Sequence, residues 1–222
     1  MSGVESLYPF LYSGVSDVEA VLADVTRSTL EKSEEITRLR ADVLELYRGR
    51  LIECARAMAR SFAAGGRLFA FGNGGSSTDA QAVVELFQNP GAPARPLPAE
   101  ALATDIAVLS ALANDVSFDV VFARPLAASG RAGDIAVGLS TSGGSANVLR
   151  AFEEATRRGM LTIGLAGYDG GKMAEADTID HLFVMPSSSV HRIQEAQTTT
   201  YNTLWELTQL ALGTPGSAQA QQ

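Results

Sequence analysis

Two short stretches hold most of the residues able to do chemistry. Gly72-Asn73-Gly74-Gly75-Ser76-Ser77 follows the apolar run "RLFAF" at 67–71. Ser140-Thr141-Ser142-Gly143-Gly144-Ser145 follows "DIAVGL" and precedes "ANVLRAFEEATRRG". Glycines and hydroxyls between a strand and a helix suit an anion, because the first backbone N–H groups of a helix are free and its dipole favours negative charge. The first stretch reads as an anion-holding turn, with an ordinary tight turn and a serine cap as the competing reading. It is not a dinucleotide fingerprint, since Ser77 stands where the third glycine belongs, and it lacks the lysine of a P-loop. The second stretch is more telling. It puts four hydroxyls and two glycines into six residues, whereas capping a helix needs one hydroxyl. The surplus points to a phosphate held by hydroxyls and backbone N–H groups together. A third loop, "LAGYDGGKMAEA", adds glycines and Lys172, which reads as an anion contact or as an ordinary solvated lysine. The helix after the first loop carries Glu85, either a catalytic base or a bystander to a bound ligand.

Composition sets the frame for these loops. The chain has 222 residues, 46% hydrophobic and 19% charged, which suits one globular α/β domain with a helical addition. A net charge of −8 argues against direct nucleic-acid binding, which needs a basic face. Cys54 is the only cysteine, so one chain can form neither a disulfide nor a cysteine-based zinc site, and its apolar setting reads as core. No apolar run is long enough to span a membrane. The N-terminus lacks the basic and apolar regions of a signal peptide. A cytoplasmic protein is expected.

The elements that must position the loops follow from periodicity. Three helices are expected in the first third: one behind the capping-box pattern Ser16-Asp17-Val18-Glu19, one opening at Ser33, and one from about Ile52 to a stop at Gly65-Gly66. Their apolar stripes suit a core or a subunit interface, with subunit packing preferred. From residue 67, strand-like runs at 67–71, 134–140, 161–167 and 181–186, with a vaguer one near 97–103, alternate with helical patterns at about 76–88, 104–126, 144–158 and 190–212. This alternation predicts a parallel sheet covered on both faces, with ligands beyond the carboxyl ends of its strands. The expected organisation is a helical segment over 1–65, packing on the domain or an oligomer interface, an α/β domain over 66–213 and a frayed tail over 214–222.

Taken together, "GNGGSSTDAQ", "LANDVSFDVVFARPL", "LSTSGGSANVLRAFEEATRRGMLTIGLAGYDGGKMAEAD" and "RIQEAQ" resemble the sugar isomerase (SIS) domain, and within it the phosphoheptose isomerase group. The resemblance covers about residues 50 to 212. It implies a three-layer sandwich with a five-stranded parallel flavodoxin-like sheet, assembled as a homotetramer with sites at subunit interfaces. It also implies a sugar phosphate held by Asn73, Gly74, Ser76, Ser140, Thr141, Ser142 and Ser145, with Gln194 and Asp115 matching further site positions.

The catalytic positions depart from that pattern. The isomerases resemble one another in a glutamate on the helix after the glycine loop and a histidine on the last helix, placed to move a proton between adjacent carbons. Those positions fall here on Leu86 and Asn202. Glu85 is one residue early, a rotation of about 100° around a helix, and asparagine cannot exchange protons near neutral pH. A further histidine, a metal ligand in some members, falls on Ala82. No cofactor is therefore expected, and too few ligands remain for a tetrahedral zinc site. Glu85 as base and His191 as acid, beside Gln194 and Asp115, give an isomerase of sedoheptulose 7-phosphate or a similar sugar. The alternative is a sugar-phosphate-sensing tetramer without turnover, similar to the replication-initiator-associating proteins that lose the same histidine and bind the DnaA protein.

Overall fold

The computed structural model describes residues 18–213; Ser16 and Asp17 of the capping-box pattern and the tail after 213 lie outside them. The chain divides into two compact units, Met1–Arg38 and Leu39–Gln222. The described part of the first is helical and leaves Val21, Leu22, Val25 and Leu30 exposed.

The expected three helices are one. Helix α1 runs without a break over Val18–Ala63. Ser33, read as the start of a second helix, donates its Oγ to the Thr29 carbonyl 2.9 Å away instead of capping. Thr26, Thr29 and Thr37 each bond the carbonyl four residues back in the same way. Hydroxyls satisfied within the helix do not compete for its backbone N–H groups, and the one interior glycine, Gly49, is tolerated at a cost of about 1 kcal/mol.

The rest follows the alternation closely. Strands β1 (Leu68–Gly72), β2 (Ala99–Ala101), β3 (Ile135–Ser140), β4 (Leu161–Gly167) and β5 (His181–Met185) are interleaved with helices α2 (Gly75–Gln88), α3 (Ile106–Asp115), α4 (Ala123–Ser129), α5 (Ala146–Arg157), α6 (Gly171–Glu175) and α7 (Val190–Ala211). The single helical pattern expected over 104–126 is split into α3, a 3-10 turn at Phe118–Val120 and the start of α4. All strand pairs are parallel, in the order β2-β1-β3-β4-β5. Every residue of β1 and β3 is buried, as a sheet covered on both faces requires.

Side chains on one face, led by Phe69, Phe71 and Ala136, join Phe122, Leu126, Val148, Phe152 and Met160 in one cluster. On the other side Phe62 of α1 stacks on Phe87 of α2, and the Tyr47 hydroxyl accepts the Val184 N–H. Cys54 is fully buried, as its apolar setting predicted, and burial pushes its thiol far up. No described helix is long and apolar enough to cross a membrane.

Phe71 is completely buried, with Phe152 at 5.4 Å and Phe122 at 5.7 Å between ring centroids. Phe71→Ala should lower unfolding free energy by about 3–5 kcal/mol through the lost transfer energy and the cavity left behind, measured from urea denaturation midpoints.

Candidate functional site

The chain crosses over in opposite directions from β1 and β3, so the loops after these two adjacent strands part and leave a crevice at the topological switch point. Both chemistry-bearing loops sit there. Strand β1 ends at Gly72 beside Leu139, and β3 ends at Ser140.

Two amides join the loops. Asn73 donates Nδ2 to Asn147 Oδ1 and accepts Asn147 Nδ2 on its own Oδ1, both at 2.8 Å. Asn147 is buried at the start of α5. The hydroxyl loop is held from the other side by a backbone approach. Gly143 has φ +64, and a Cβ there would lie 2.0 Å from the Gly170 carbonyl oxygen; the Gly143 carbonyl accepts the Met173 N–H at 2.9 Å. Only glycine fits this contact.

The hydroxyls do not cap the helix behind them. Ser145, the residue before α5, makes no side-chain cap bond; its Oγ lies 3.1 Å from the buried Ser140 Oγ. Ser142 Oγ accepts the Gly144 N–H at 3.2 Å. Helix α2 likewise starts behind Gly74 without a side-chain cap. Two uncapped helix starts therefore face one crevice, with hydroxyls to hand, which is the arrangement that binds a phosphate. Capping alone does not explain these serines.

Helix α7 supplies the third wall. Gln194 donates Nε2 to Asp79 Oδ2 at 2.9 Å and lies over Gly75, where a Cβ would come within 2.6 Å of its Nε2. Burial pushes the Asp79 carboxyl upward from its ordinary value, against a smaller lowering by the Gln194 bond. Tyr201 stands nearby: its phenol is raised first by burial and then by the negative charge of Asp79, opposed by its 3.4 Å bond to Thr198 Oγ1.

Asn73, Gly74, Ser76, Ser140, Thr141, Ser142, Ser145 and Gln194 thus come from three elements that meet at this crevice. Asp79 and Asn147 are additions that sequence reasoning passed over, although both lie inside the quoted motifs. Asp79 follows Gly75 by one helical turn, so the helical period alone puts its carboxylate over the glycine loop. Three candidates stand apart within the chain. Glu85 is exposed and accepts Asn89 Nδ2 at 3.0 Å; ten residues into α2, it is about 15 Å along the axis from the helix start. Asp115 is exposed at the end of α3 and accepts Asn114 Nδ2. His191 is exposed in the first turn of α7. Lys172 lines a shallow hollow with Glu153, Glu175 and Asp177.

The SIS-domain profile matches residues 33–167. The chain belongs to the SIS-domain family. Phosphoheptose isomerase of Aquifex aeolicus is 40% identical over 183 residues, covering 80% of this chain and 95% of that protein; the same enzyme of Thermodesulfovibrio yellowstonii is 41% identical over 175 residues, 78% and 86% of the two chains. Among solved structures, phosphoheptose isomerase of Neisseria gonorrhoeae superposes with a TM-score of 0.75 at 35% identity, over 82% of this chain and 97% of that one. The Francisella tularensis phosphoheptose isomerase gives 0.76 at 31% identity, over 85% and 98%.

The positions that the resemblance relates to metal ligands carry the following side chains and contacts. Ala82 offers no ligand, Glu85 is turned to Asn89, Gln194 is engaged with Asp79, and Asn202 gives Nδ2 to the Thr198 carbonyl at 2.8 Å. Among the described residues no group of three or more His, Cys, Asp or Glu comes together.

Because the folded chain holds the Asp79 proton more tightly than the unfolded chain does, ionising Asp79 weakens the fold as pH rises from the ordinary value of 3.8 through the raised one. Asp79→Asn cannot ionise. Relative to the parent chain it should be more stable at neutral pH than in acid below 3.8, by chemical denaturation at both pH values; equal differences would refute this role for burial.

Proposed function

We propose that this SIS domain binds a phosphorylated sugar in the crevice between the β1 and β3 loops, as an isomerase of the phosphoheptose type. The observation that carries the reading is the Ser140–Ser145 loop: four hydroxyls, none capping α5, beside two uncapped helix starts. The phosphate sits on Ser140, Thr141, Ser142 and Ser145, with the sugar reaching past Asn73 and Ser76 toward Gln194 and Asp79. Gln194 orients a carbonyl or hydroxyl oxygen, with Asp79 fixing its amide. The likeness to phosphoheptose isomerases supports sedoheptulose 7-phosphate as substrate, isomerised between aldose and ketose by proton transfer. Glu85 is the base and His191 the acid in this scheme, with Asp115 as a further site residue.

Since Glu85, His191 and Asp115 are exposed on separate elements of one chain, they complete a site only across a subunit boundary. The protein therefore acts as a homo-oligomer, a tetramer on the pattern of the family resemblance, in the cytoplasm. The surface supports this: α3 buries none of its residues in the chain although it is apolar, with Ile106 76% exposed and Phe118 nearby 51% exposed.

A second reading, a sugar-phosphate sensor that acts on a protein partner without turnover, is favoured by Leu86 and Asn202. The Asn202 amide is already given to a backbone carbonyl.

Proton exchange beside the carbonyl, followed by NMR in heavy water with sedoheptulose 7-phosphate, separates the two. The isomerase predicts exchange that Glu85→Gln reduces about 100-fold or more. The sensor predicts binding with no exchange. Ser142→Ala with Ser145→Ala should weaken binding about tenfold or more in either case, from the loss of charge-assisted hydrogen bonds. Unaltered affinity would remove the phosphate from this loop.

A further inference from the structure

At the opposite edge of the sheet, Arg56 and Arg60 of α1, Arg95 of the loop before β2, and Ala211 and Leu212 at the end of α7 surround a cavity of about 390 Å³. Helix α1 ends at Ala63 just before β1 begins, and α7 ends after running back from the carboxyl edge, so the cavity lies at the amino-terminal edge. Seventeen residues of α7 separate Ala211 from Gln194, about 25 Å at the helical rise.

None of these three guanidinium groups has a hydrogen-bond or ion-pair partner among the described residues, and all three residues are exposed. Some other arginines of this chain of net charge −8 are paired, Arg157 and Arg158 with Glu154 and Arg192 with Glu195; these three are set apart by lining one cavity. Basic groups do favour the carboxyl ends of helices, which accounts for Arg60 in the last turn of α1. It does not account for Arg95, which no helix carries. Arg95 is instead placed by a clamp: buried Gln209 accepts its N–H at 3.1 Å and donates Nε2 to its carbonyl at 2.7 Å. Three like charges held around one cavity repel one another until an anion neutralises them. Guanidinium forks match phosphoryl oxygens in geometry, and the remaining walls, Ala59, Ala63, Ala211 and Leu212, are small and aliphatic.

We propose that Arg56, Arg60 and Arg95 form a second anion site, separate from the sugar-phosphate crevice, for a small ligand whose phosphoryl groups carry two or more negative charges. Pyrophosphate is the probe, titrated calorimetrically into the full-length protein at low ionic strength. The wild-type chain should show a binding event that Arg56→Gln with Arg60→Gln removes, that Arg95→Gln weakens about tenfold or more, and that salt weakens. The same event should survive Ser142→Ala with Ser145→Ala, which acts on the other site. Circular dichroism and melting of the exposed-arginine variants confirm that they fold. The inference is overturned if pyrophosphate does not bind, if the arginine variants bind it unchanged, or if the hydroxyl-loop variant abolishes all binding. An event lost only with the arginines establishes the site whatever the hydroxyl loop does, so the two assignments stand or fall separately.

Discussion

The paired amides of Asn73 and Asn147 hold the centre of this protein together. Each lies just past a strand, one after β1 and the other after β3, where the connections part and nothing in the sheet joins the two loops. Two reciprocal hydrogen bonds contribute about 1 kcal/mol each on balance, but losing one partner strands a buried amide at a cost of about 1–3 kcal/mol. That asymmetry makes the join a constraint on geometry more than a source of stability. It fixes the distance between a glycine turn and a hydroxyl loop that would otherwise move independently, and with it the spacing of the two helix starts that face the crevice.

Around this join, charge and burial divide the work. The side formed by the Ser140–Ser145 loop is built from neutral hydroxyls and backbone N–H groups, which carry no net charge of their own. Against it stands one half-buried carboxyl, Asp79, whose raised affinity for its proton comes from burial, opposed by its bond to Gln194. Its bond to Gln194 ties α7 to the first turns of α2, beside the glycine loop. At the amino-terminal edge of the sheet, three arginines converge on a cavity with no acid among its described lining residues.

Much of this was legible in the chain. Strands β3 and β4 begin and end within a residue of their apolar runs because parallel strands buried on both faces leave little room for polar residues inside them. The hydroxyl loop was legible because its serines exceed what a cap requires. The N-terminal helix was misread: Ser33 looks like a start signal, and only the turn before it, with Thr29 offering a carbonyl, shows that the hydroxyl is spent within a continuous helix. Asp79 lies one turn from the glycines, but its partner Gln194 comes from 115 positions away, so no local pattern marks the pair.

By itself the sequence determined the strand–helix alternation from β1 onward, the parallel sheet and the place of the hydroxyl loop after β3, since these follow from local periodicity, turn chemistry and short-range spacing. The tertiary structure decided which side chains meet. Asn147 finds Asn73 across 74 positions, Gln194 finds Asp79 across 115, and Gln209 holds Arg95 across 114. Contacts at such separations depend on strand order and on how α7 lies over α2, and no local pattern encodes either.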